Sequence, residues 1–142
     1  MPYITRDDII ASIGESDFVL LADRDNDGVA DTAVVDRAIA QAESEVSSYV
    51  GQRYALPLAE TPPVLIGYVV DVAVYRLADT PDTMTEHRRL KYEDARAWLT
   101  KLAQGTVRLD VPLSETPSTV HGGVFKRGAD KIFTREGLKG VY

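Results

Sequence analysis

"DTAVVDRAIAQAESEVSSYVG", residues 31–51, sets the architecture of the chain. Val35, Ile39, Ala42, Val46 and Tyr49 recur at steps of three and four, drawing one apolar stripe along a helix of 3.6 residues per turn. Asp36, Arg37, Glu43 and Ser47 fall on the other side, and Gly51 is a natural stop. A helix over about 32–50 with one apolar face needs partners to bury that face, so the neighbouring segments must supply them.

On the N-terminal side, Thr5 and Asp8 have capping-box spacing, and Ile9, Ile10 and Ile13 give a first short helix its apolar face, closed by Gly14. "FVLLA", residues 18–22, reads either as one helical turn or as a core-plugging segment. On the C-terminal side, "QRYALPLAETPP", residues 52–63, reads as an extended connector, because Pro57, Pro62 and Pro63 each bias the preceding residue away from helix. A third helix begins near Pro63 and runs to about Ala78. It is apolar nearly all round, as expected of the most buried helix. Asp71 and Arg76 are its polar exceptions, and an ion pair of Asp71 with Arg76 or Arg53 is expected. After "DTPDTMT", a fourth helix spans about Glu86 to Gln104, with Leu90, Ala95, Trp98, Leu99 and Leu102 inward and Gly105 as C-cap. Beyond it "TVRLDVPL" alternates like a strand, and Pro112, Pro117, Gly122 and Gly123 break helical periodicity. The expected fold is mainly α: a compact bundle of about four helices over 1–104, then an extended C-terminal arm over 105–142 with room for short β-strands.

A chain of 142 residues suits one domain. The absence of cysteine excludes disulfides and thiolate metal sites and fits a reducing compartment. "MPYITRDDII" lacks the basic and apolar regions of a signal peptide, and the most apolar stretch, Val64 to Val74, is interrupted by Asp71 and too short for a bilayer. A soluble protein made in the cytosol, without a membrane role, is expected. The formal net charge of -6 argues against nucleic-acid binding by the body. That charge is uneven: in residues 105–142 six basic residues face four acidic ones, so this segment is +2 and residues 1–104 carry -8. A basic arm of this kind suits docking on an acidic surface such as a neighbouring subunit, and a solvated tail is the plain alternative.

"DRDNDGVAD", residues 23–31, is the conspicuous motif. Asp23, Asp25 and Asp27 match the first, third and fifth positions of an EF-hand loop, Gly28 the sixth, and Val29 would offer its carbonyl as the seventh. The twelfth position, which should be a bidentate glutamate, is Val34, so a regular EF-hand is excluded. Asp31 at the ninth position could close a smaller calcium cage. It is equally well placed to cap the helix that follows, with Asp27-Gly28 as a simple turn. Any bound calcium would be structural; no cofactor is required.

Catalytic patterns are missing. His87 falls in the first turn of a charged helix and His121 in a glycine-rich loop. There is no HExxH, GxSxG or P-loop, "HGGVFKRG" lacks Walker spacing, and the adjacent Glu93 and Asp94 point in different directions on a helix. A non-enzymatic protein is expected.

The succession "MPYITRDDIIASIGE", "LADRDNDGVADTAVVDRAIAQAESEVSSYVGQRYALPL", an apolar helix, "KYEDARAWL" and finally "IFTREGLKGVY" resembles the Mu-like phage gp36 family over essentially the whole chain. The resemblance implies a structural virion protein: a head-tail connector, or adaptor, built in the host cytoplasm and located at the neck. It would form a homo-oligomeric ring, typically of twelve copies, between the portal protein and a downstream neck or tail-completion protein, with DNA passing through the lumen unbound. Candidate interface residues are Arg53 and Tyr54 in the junction and Phe125, Ile132, Phe133, Arg135, Leu138 and Tyr142 in the arm. A small calcium-binding interaction module or regulator outside the virion is the alternative reading.

Overall fold

The computed structural model describes residues 2–111. Within them lie five helices: α1 (Arg6–Ile13), α2 (Glu15–Ala22), α3 (Thr32–Val50), α4 (Pro63–Leu77) and α5 (Glu86–Gln104). The fold is mainly α, and three of the helix spans coincide with the periodicity almost to the residue. "FVLLA" proves to be the second half of α2, which shares Gly14 with α1 as a joint: Gly14 sits at φ +92°, where a side chain would be strained.

Local chemistry fixes the ends. Thr5 caps α1 in a full capping box with Asp8, whose carboxylate accepts the Thr5 amide at 2.7 Å. Thr85 caps α5 by accepting the Arg88 amide at 3.1 Å, and Gly105 at φ +88° ends it in the left-handed region. Pro63 occupies the first turn of α4, where a missing amide costs nothing.

The long helices α3, α4 and α5 pack pairwise on one another, while α1 packs on α2 and α4, and α2 on α3. The core is their shared interior: Val35, Ala38, Ala42, Val46 and Val50 from α3, Leu65, Val69, Val72, Ala73 and Leu77 from α4, and Ala95, Leu99 and Leu102 from α5. Ile9, Phe18 and Leu21 close it from the short helices. Truncating a fully buried leucine such as Leu99 to alanine should cost about 2–5 kcal/mol in lost transfer energy and cavity.

The structure corrects several expectations. Leu90 is 46 % exposed, and Tyr92 is buried instead. Tyr92, Ala95, Leu99 and Leu102 form the stripe at steps of three and four, and Leu90 lies five residues from Ala95, off that face. Residues 106–111 form no strand, since no second strand lies beside them among the described residues; Leu109 is buried on the body instead. Asp71 pairs with Lys91 of α5 at 3.4 Å, not with Arg76 or Arg53. No described helix is long and apolar enough to cross a membrane.

Candidate functional site

The acidic loop joins α2 to α3 and closes on itself through backbone amides. The Asp23 carboxylate accepts the amides of Asp27 (3.1 Å) and Gly28 (2.8 Å), Asp25 accepts that of Asp27 (3.3 Å), and Asp27 that of Val29 (2.9 Å). This wrapping needs two left-handed residues, Asn26 at φ +59° and Gly28 at φ +88°. One carboxylate oxygen each from Asp23, Asp25 and Asp27 lies within 4.8 Å of the others, a spacing that a divalent cation can bridge. A carboxylate oxygen has two lone pairs, so accepting an amide leaves capacity for a metal.

The crowding of like charge is unequal. The hydrogen bond between the Asp25 and Asp23 carboxyls, slight desolvation and repulsion from Asp27 and Asp31 together raise the Asp25 pKa above the ordinary aspartate value. Desolvation also pushes Asp23 upward, but the amides of Gly28 and Asp27 outweigh it and the net direction is down.

Asp31 stands apart from the trio. It occupies the N-cap position of α3 without capping it: its side chain turns back to accept the Arg24 amide at 2.8 Å, while its own amide donates to the Ala22 carbonyl at 3.0 Å. The capping expectation is therefore replaced by a loop-closing role. Arg24 in turn donates to the Leu77 carbonyl at 3.1 Å and pairs with Asp79 at 3.2 Å, tying the loop to the end of α4.

The two junction residues fare differently. Arg53 is exposed, with its guanidinium filling the space over Gly105 that a Cβ would need. Tyr54 is only 4 % exposed, and its hydroxyl accepts the Leu109 amide at 2.8 Å, so within one copy it fastens the segment after α5 to the α3–α4 connector. Phe125, Ile132, Phe133, Arg135, Leu138 and Tyr142 lie outside the described residues, as does His121; His87 is exposed.

A second charged cluster escaped the sequence reading. Glu45 of α3 receives the Arg76 guanidinium at 2.6 Å and the Tyr92 hydroxyl at 2.8 Å, joining three helices. Tyr92 stacks on Tyr75 with ring centroids 3.8 Å apart and planes 8° from parallel, and Arg96 lies 5.7 Å over Tyr92. Burial, then the hydrogen bond to Glu45, pushes the Tyr92 phenol up to about 12. The arrangement is structural in chemistry: Glu45 accepts from both the Arg76 guanidinium and the Tyr92 hydroxyl, the buried Arg76 Nε has no acceptor, and no nucleophile is poised against a base. Its one signal in the sequence was Arg76, one of two charges on a mostly apolar helix.

Comparison with known proteins adds the lineage. The family model described as "Bacteriophage Mu, Gp36" matches residues 3–127, a span that includes all five helices and the acidic loop. The "Mu-like prophage FluMu protein gp36" of Haemophilus influenzae is 34 % identical over 112 residues, covering 78 % of this chain and 77 % of that protein. "Gene product J" of Escherichia phage Mu is 29 % identical over 106 residues, 74 % of each. The chain belongs to the phage Mu gp36 family.

Proposed function

We propose that the protein is a structural subunit of a tailed-phage particle, a head-tail connector that assembles as a ring under the portal and receives a neck or tail-completion protein on its far side. The observation that carries this reading is family membership along most of the chain. The chemistry of the described residues agrees with it: the Glu45–Arg76 and Asp71–Lys91 ion pairs join helices, and His87 lies exposed. The function is then carried by surfaces. A net charge of -8 on residues 1–104 suits a ring through which DNA moves without adhering, since like charge opposes binding to phosphates. The six cations of residues 105–142 suit contact with an acidic neighbour, and Phe125, Ile132, Phe133, Arg135, Leu138 and Tyr142 supply apolar and basic anchors there. Purified full-length protein mixed with its portal should give rings in negative-stain images; a mixture that stays unassembled contradicts the reading.

A second role is supported by the convergence of Asp23, Asp25 and Asp27. Calcium held there, with the Val29 carbonyl joining the donor set and Asp31 retained on the Arg24 amide, would staple the loop as a structural ion. Calorimetric titration into metal-free protein should show binding, with a higher melting temperature at millimolar calcium. No heat and no shift would remove the metal from the account and leave the amide-closed turn.

A further inference from the structure

Each described glycine but one has a reason inside the chain. Gly14, Gly28 and Gly105 have positive φ, and a Cβ at Gly51 would stand 3.0 Å from the Ser47 carbonyl oxygen. Gly67 is the exception. It lies in the middle of α4, where glycine is less favourable than alanine, and a Cβ placed on it would meet no atom within 4 Å. Space is therefore free over an exposed backbone that any larger residue would have covered.

The surroundings are charge-balanced, with exposed apolar surface at Val64. Val64 is 48 % exposed and shares a face of α4 with Gly67, three residues further on, and Asp71, seven further on. Tyr68 stacks on Trp98 of α5 at 4.6 Å beside this strip, and both rings remain partly exposed. On α5, Lys91, Asp94, Trp98 and Lys101 follow at steps of three, four and three, so they share a face that the Asp71–Lys91 and Tyr68–Trp98 contacts fix next to α4. Two acids and two bases cancel there, whereas the body as a whole carries a large negative charge. Two copies of such a body repel through most orientations, and a patch without net charge is where a neighbouring copy can approach without that cost.

We propose that the α4 strip of Val64, Gly67 and Asp71, flanked by Tyr68 and Trp98, is a contact surface for a second copy of this chain, whose backbone or small side chains pack closely over Gly67. The inference rests on the ring reading and deepens it, since every ring subunit must offer its neighbour a complementary face. The test compares full-length wild type with Gly67→Ala and Gly67→Glu, following assembly with and without portal by mass photometry and folding by thermal melting. Gly67→Ala should raise the melting temperature by roughly 2–6 °C while weakening assembly about tenfold or more, and Gly67→Glu should fold and not assemble. Assembly of both variants at wild-type concentrations would overturn this contact and leave the ring reading intact. A lower melting temperature for Gly67→Ala would show that the chain itself needs the glycine, which also overturns it. Wild type that never assembles, with or without portal, would defeat both.

Discussion

The acidic loop and the Glu45 cluster both concentrate charge, and they do opposite things with it. In the loop, four aspartates lie within nine residues at the surface, and three of them hold amides no more than five positions away. At Glu45, the partners Arg76 and Tyr92 arrive from 31 and 47 residues away and meet in the partly buried seam of three helices. A conspicuous motif can thus be energetically local, while an inconspicuous residue joins the fold. Desolvation explains the difference: exposed carboxylates interact weakly through water, whereas groups withdrawn from water depend on their partners.

That contrast can be broken by substitution. Glu45→Ala should be the most damaging, removing the acceptor for both Arg76 and Tyr92 and costing about 2–3 kcal/mol in urea unfolding, with part of the loss softened by the solvent that reaches Arg76. A cost near zero would mean that apolar packing alone holds the seam. Tyr92→Phe should cost about 1 kcal/mol at neutral pH, since one hydrogen bond goes and the ring stays. Its pH signature is sharper. The phenol is raised from 10.0 to about 12 in the folded state, so wild type should lose stability as pH rises from 10 towards 12 while the unfolded chain ionises more readily. Tyr92→Phe should lack that component, and parallel alkaline profiles would contradict the assigned environment. Asp25→Asn should be mildest, leaving neutral-pH unfolding without measurable loss, because it relieves repulsion from its neighbours and spares the amides held by Asp23 and Asp27. It should nevertheless abolish any calcium-dependent rise in melting temperature; a rise that persists would place the ion elsewhere.

The limits of the sequence have the same origin. Periodicity reads what one helix does alone, and it located α3, α4 and α5 because each has a stripe, a cap or a proline start. Where a partner decides, it failed. Leu90 looked like core by residue type, yet its five-residue step from Ala95 puts it in solvent. Asp71 was read as needing a cation, correctly in kind, but the choice of Lys91 depended on how α5 lies along α4. Asp31 looked like a cap, and the loop took its side chain instead. The alternation in "TVRLDVPL" marked Leu109 as apolar without revealing that it would be seated beside Tyr54. In the candidate site, the convergence of Asp23, Asp25 and Asp27 was legible, because loop chemistry is local, but the turn of Asp31 onto the Arg24 amide was not. The Glu45 cluster was not, because its members become neighbours only after three helices pack.

The central claim is that this protein acts through its surfaces, as a part of the particle. Immunogold labelling of purified, intact phage with antibody against the chain tests it most directly. The account predicts label at the head-tail junction of each particle, and particles free of the protein would contradict it.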